Sequence, residues 1–251
     1  MVDTKLWIWL KNNPENYEEF REKKDENDVE VVFSNGNFYD LLKRKEQDRL
    51  SEIIAEIVDY YIPMQSRGGY YYDYSDDPIT MVPDPYARSL LSREMEVLDE
   101  DLTLQILFRV ADWDVPDEYV EMTERMRDVY DRFGFDNAMG YMFEEYLKEK
   151  GDMLELQPDE VEPVDFIRGM LELYRTKQMK DTEKPDRNDY VDMLICSHSI
   201  ITNCDVLFME EKWIDEEVIQ NVVDWLTLDE PTLYKDYDKF LSEFYADGVQ
   251  R

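Results

Sequence analysis

The sequence predicts an α/β protein with few strands and many helices, and three observations carry that expectation. Two runs have the length and apolar content of buried strands, VEVVF at 29–33 and DVLFM at 205–209. Most of the remainder repeats apolar residues at helical spacing, as in DEYVEMTERMRDVYDRF and VDFIRGMLELYRTKQ. The helical stretch from about 87 to 180 separates the two strand-bearing ends, so it reads as a large all-helical insertion within a single domain spanning 1–251.

Taken in chain order, LWIWL at 6–10 is a short apolar element broken at Asn13-Pro14, and residues 15–25 read as an exposed charged helix. VEVVF follows, and Ser34 is a helix cap for a turn running through Tyr39, Leu41 and Leu42. RLSEIIAEIVDYYI at 49–62 has the stripe of an amphipathic helix stopped by Pro63. Residues 64–86 read as a loop: they hold Gly68-Gly69, the run YYYDYSDD and prolines at 78, 83 and 85. Pro158 and Pro163 punctuate the helical middle. The polar break KPDRND leads into the apolar helix YVDMLICSHSIITN, then the second strand, then two closing helices.

Charge sets the chain apart. It carries 61 Asp plus Glu against 28 Lys plus Arg, a formal net charge of -33, with 43% hydrophobic and 14% aromatic residues. That apolar content is ample for a core, so disorder does not explain the polarity. The acids recur in almost every block of ten instead of forming a tail. Such self-repulsion is tolerable where the Debye length shrinks to about 3 Å at 1 M salt, so the surface reads as an adaptation to a salty cytoplasm. No basic stripe is present to bind nucleic acid through counterion release, a weak driving force at molar salt for any protein. The start lacks the basic region and long apolar run of a signal peptide, and no apolar stretch has the length of a membrane span. Cys196 and Cys204 read as buried thiols of a reducing compartment. A cytoplasmic protein without membrane contact is expected.

Several chemistries are excluded. There is no glycine-rich phosphate loop, and one His with two Cys cannot build a structural zinc site. His198 lies between Ser197 and Ser199, but neighbours on a helix diverge, so a locally hydrogen-bonded histidine is expected in place of a nucleophile–base pair. The Tyr70-Tyr71-Tyr72 run reads as a loop packing on its own core before it reads as a stacking platform for bases. Carboxylates remain, and they bind hard divalent cations.

Three segments hold acids that stand out against apolar surroundings, although each acid taken singly reads as a solvated surface charge. Asp3 precedes the apolar opening; Asp40 stands among apolar neighbours after the first strand. Asp189 and Asp192, spaced i, i+3, share a face near the positive end of the apolar helix, and Asp205 and Glu210 bracket the second strand. Ligands gather outside the carboxyl ends of strands in α/β sheets, so acids distant in sequence can converge there.

This arrangement resembles the PIN-like domains. Asp3-Thr4-Lys5 with Trp7-Ile8 looks like the family's first motif, and Ser34 to Leu42 with Asp40 like its second. Asn188-Asp189-Tyr190-Val191-Asp192 looks like the third, with Asp192 in the ligand position. Cys204-Asp205-Val206-Leu207-Phe208-Met209-Glu210 looks like the fourth, with Glu210 as ligand and Asp205 at the strand edge. The likeness covers a core of about 1–62 and 186–226. It departs from the family at Lys5, where Asn is usual, and at Met209-Glu210, where Thr and Asp are usual; only Met1 and Val2 precede Asp3.

The resemblance implies a small parallel sheet flanked by helices and a metal-dependent ribonuclease. Asp3, Asp40, Asp192 and Glu210 would be catalytic around Mg²⁺ or Mn²⁺, Asp189 and Asp205 widening the donor set. RNA or another single-stranded nucleic acid would be cut to leave a 5′-phosphate and a 3′-hydroxyl. The alternative is a non-catalytic halophilic interaction protein, degenerate or unrelated in fold. A protein partner is compatible with the sequence but nothing in it points to one, and the even spread of acids disfavours a DNA mimic.

Overall fold

A computed structural model describes residues 1–34, 36–37, 53–54, 56–62, 82–83, 117–152, 163–180, 183, 186–210, 213–226 and 228–246. Asp40, the tyrosine run at 70–72 and residues 87–116 lie outside the described residues.

The chain opens with two helices, α1 (Thr4–Asn12) and α2 (Pro14–Glu26), separated at Asn13 where Pro14 enters the first turn of the second helix. Leu6, Trp7 and Leu10 form the buried stripe of α1; Tyr17, Phe20 and Lys24 form that of α2, whose other residues carry its charge outward. Strand β1 (Val32–Ser34) pairs in parallel with β2 (Tyr60–Ile62), which pairs antiparallel with β3 (Val82–Pro83). Beyond them come α3 (Asp117–Phe133), α4 (Phe135–Asp152), α5 (Pro163–Gln178) and α6 (Arg187–Ile201). Strand β4 (Val206–Phe208), α7 (Glu216–Leu226), the parallel partner β5 (Thr232–Tyr234) and α8 (Tyr237–Ala246) complete the described chain. No helix among the described residues is long and apolar enough to cross a membrane.

The expected helix over 49–62 is shorter than its pattern. Helical geometry is described up to Ile57, and Tyr60–Ile62 is a strand. The Asp59 carboxylate accepts the Val31 N–H at 2.7 Å and binds the buried Lys24 ammonium at 2.9 Å, which ends the helix by tying the chain to β1. Residues 82–83, expected in a loop, supply β3, and β5 has no counterpart in the expected strand set. Three residues are too few to show a period of two or 3.6.

Alternation along the strands divides the core into two layers. Val31, Phe33 and Phe208 pack with α1, α2, residues 53–58 and α8. Val32, Leu207 and Met209 face the other way, onto α3 to α7. The described chain is thus mostly helical with a small, short-stranded sheet system, which is compatible with an α/β class. Within the second layer α5 is apolar on almost every side, from Phe166 to Tyr174, and packs against α3, α4, α6 and α7. The described helices of this middle stretch thus share the core. Gly134 (φ 72°) lets α3 reverse into α4 after a single residue.

One close approach sets α6 against the end of β1. A Cβ on Gly36 would stand 2.8 Å from Ile195 Cγ1 and 3.1 Å from the Val191 carbonyl oxygen. Gly36→Ala is expected to cost about 1–3 kcal/mol by overpacking. A lowered thermal midpoint at fixed molar KCl checks this, and an unchanged midpoint would mean that α6 shifts freely away from β1.

Candidate functional site

Residues 1–3 are where the site begins. Val2 forms a parallel bridge with Phe208. Around it the Met1 ammonium donates to the Val206 carbonyl (2.7 Å), Phe208 N–H to that of Met1 (3.0 Å), and Asp3 N–H to that of Phe208 (2.9 Å). The stretch is a minimal first strand along β4. On its other flank the buried Asn37 amide donates to the Val2 carbonyl (2.9 Å) and the Thr4 hydroxyl (3.3 Å) and accepts the Ser34 N–H (3.1 Å). Asn37 thus clamps the end of β1 to residues 2–4.

This brings Asp3 and Glu210 to the same end of two parallel neighbours, with Asp192 near enough to Lys5 to act on its charge. Asp3, buried at the carboxyl end of the short strand, precedes α1 with extended backbone but makes no side-chain cap bond. Glu210 follows β4 and forms an ion pair with Lys5 at 3.0 Å. Asp192 is half-buried on α6, which packs on both β1 and β4. Burial pulls the Lys5 ammonium toward neutrality, but the Glu210 hydrogen bond and the charges of Glu210, Asp3 and Asp192 prevail and hold it above the ordinary lysine value. Lys5 therefore sits in the common field of all three carboxylates.

The other expected donors are elsewhere. Asp189 belongs to the capping box of α6: it accepts the Asp186 N–H at 2.9 Å and the Arg175 guanidinium at 2.7 Å. Burial raises its carboxyl above the usual range, and the Asp186 N–H and Arg175 only partly offset the rise. Asp205 is exposed at the opposite end of β4 from Glu210. It borders a cavity of about 290 Å³ whose lining includes Asp28, Glu30, Val31 and Val206. Spacing set Asp189 on one helix face with Asp192 and placed Asp205 at the strand edge; Asp189 is also engaged by Arg175 and the α6 cap, and Asp205 stands at the far end of β4 from Glu210. Asp40 lies outside the described residues.

Carboxylates suit a hard divalent cation. Among the described residues, however, no group of three or more His, Cys, Asp or Glu side chains is arranged to hold a metal ion. The donor chemistry fits an ion; the described geometry does not close around one, and Lys5 already answers part of the charge.

His198 departs from its expected local bonding. Its Nδ1 lies 2.8 Å from the hydroxyl of Ser34, 164 positions away, and the same hydroxyl accepts the Gly36 N–H at 3.0 Å. Burial, reinforced by the Arg168 charge, lowers the ring to about 3, so it is neutral, and the tautomer sets which of Nδ1 and the Ser34 hydroxyl donates. Both side chains are buried, which makes the pair a tie between β1 and α6. Neither Asn37 nor this tie was expected from the sequence; the polar SNGN after the first strand was the available signal, and it read as a helix cap. Cys196 is buried, its thiol pushed up to about 12 by desolvation, and neither cysteine is in a disulfide.

The chain matches no family model, no curated protein and no solved structure.

The depressed His198 value carries a pH signature. The unfolded ring takes its proton near 6.5 and the folded ring only near 3, so the proton favours the unfolded chain between those values. Stability is fully present above pH 6.5 and falls on acidification by up to about 1.4 kcal/mol per pH unit in that window. Urea unfolding of wild type and His198→Gln at fixed KCl measures this: the difference between them should narrow as pH drops. Parallel curves would mean the folded ring protonates freely.

Proposed function

We propose that this chain is a PIN-like, Mg²⁺- or Mn²⁺-dependent ribonuclease whose carboxylate site is built from Asp3, Asp192 and Glu210, with Asp40 as the further acid implied by the resemblance. The observation that carries the reading is the placing of Asp3 and Glu210, far apart in sequence, at the carboxyl ends of two adjacent parallel segments, with Lys5 paired to Glu210 at 3.0 Å and Asp192 on α6 acting on the same lysine. Parallel pairing of β1 with β2, of residues 1–3 with β4 and of β4 with β5 suits the resemblance. A divalent ion, when bound, would supply charge neutralisation at a phosphate and a more acidic water. The residues themselves would orient that water and the scissile phosphodiester, with Asn37 and the Ser34–His198 tie holding the strand end under them.

A second reading, a non-catalytic relative, draws on the Lys5–Glu210 ion pair and on the lack of a three-donor group among the described residues. One assay separates the two. Single-stranded RNA in molar KCl with Mn²⁺ should be cut by wild type, and Asp192→Asn should lower the rate at least about a hundredfold while remaining folded. Asp189→Asn, which weakens the Arg175 pair and the capping box, should instead cost about 2 kcal/mol of stability and keep cleavage per folded molecule. Wild type as inert as Asp192→Asn, both folded, would leave only the second reading.

We also read the charge of -33 as halophilic adaptation. Raising KCl from about 0.1 M to about 1 M shortens the Debye length from about 10 Å to about 3 Å. The thermal midpoint should rise across that range; a falling midpoint would remove the reading.

A further inference from the structure

We propose that the cavity at the amino end of β4 binds a small organic cation, an ammonium group carried on a short apolar body. The cavity, of about 290 Å³, is lined by residues 1–2, the approach to β1 at 27–32 and the approach to β4 at 202–206. Its size is near the lower bound of small-molecule sites, about 300 Å³. It lies at the other end of β4 from Glu210, so it stands apart from the carboxylate site of the proposed function.

Two kinds of lining residue define the ligand. Phe20, Val31 and Phe240 are buried and offer apolar contact. Asp28, Glu30 and Asp205 are exposed, so the lining is anionic where it meets solvent. The Tyr60 hydroxyl, also in the lining, donates to Glu30 Oε1 at 3.2 Å and holds that carboxylate beside the cavity. No Lys or Arg side chain belongs to the described lining, and the Met1 ammonium already donates to the Val206 carbonyl at 2.7 Å. A cation therefore complements this cavity and an anion does not. A hydrated metal ion would leave the apolar lining unused, and the described acids form no group of three around an ion. An organic ammonium uses both parts: its body displaces water from apolar surface, and its charge meets carboxylates and aromatic rings.

Titration calorimetry with phenethylamine, protonated at neutral pH, tests this on the full chain in molar KCl. There the Debye length is about 3 Å, so the diffuse field of a net charge of -33 is screened while contact pairs remain. Phenethylamine should bind in the millimolar range, and phenethyl alcohol, its uncharged counterpart, at least about fivefold more weakly. Glu30→Gln with Asp205→Asn should bring the amine to the affinity of the alcohol. Glu216→Gln with Asp224→Asn, an equal charge change on α7 outside the lining, should leave the amine's affinity unchanged. Cys204 reports the location, because it lines the cavity and is half-buried whereas Cys196 is buried. The amine should slow alkylation of Cys204 by iodoacetamide, with its half-effect at the calorimetric Kd. Wild type that binds no amine, as when a second copy or another stretch of chain fills the cavity, overturns the proposal. Equal affinities for amine and alcohol, indifference to the lining substitutions, or an unprotected Cys204 overturn it as well.

Discussion

The rest of the described fold depends on how residues 1–3 are held. Three backbone hydrogen bonds fix them along β4, and the Asn37 amide fixes the Val2 carbonyl to the end of β1. Among the described residues, β1–β2–β3 and β4–β5 are separate sheets, and this short segment is what bridges them. Its shortness makes side chains do work that a ladder would otherwise share. A fully buried asparagine stands at the junction, and its amide pairs the Ser34 N–H, the Val2 carbonyl and the Thr4 hydroxyl.

From that junction the polarity of the sheet distributes the acids. Asp3 and Glu210 leave their strands at the carboxyl end, where α6 also presents Asp192. Asp205, Asp28 and Glu30 lie at the amino end, around the cavity between the β1 and β4 approaches. The described residues with positive φ outside glycine, Asp28 and Asn203, both line that cavity, at turns that Asp and Asn tolerate. A net charge of -33 is thus not uniform in its consequences: at one end the acids meet a lysine, and at the other they face solvent.

Helices were readable where their stripes were long. α3, α5 and α6 follow directly from apolar spacing, with Pro163 at the start of α5 and the polar break KPDRND before α6. The strands were readable only where apolar runs exceeded them, so VEVVF and DVLFM announced β1 and β4, while β2, β3 and β5 passed as helix end, loop or nothing. In the candidate site, Asp3, Asp192 and Glu210 were named from segment context, and Lys5 as a departure from the resemblance. Asp189 was grouped with Asp192 because i, i+3 spacing puts them on one face. Spacing says nothing about Arg175, which comes from another helix and takes Asp189 away.

By itself the sequence determined the helical bulk with few strands, the excess of acids and the short list of carboxylates, because these follow from local periodicity and composition. Tertiary structure alone decided which carboxylates share a field, which one is spent on a helix cap, and that His198 answers to Ser34. Those outcomes depend on contacts between residues as far as 164 positions apart. Such contacts are set by how two faces of a short-stranded sheet bury their side chains, and no local window of sequence contains that information.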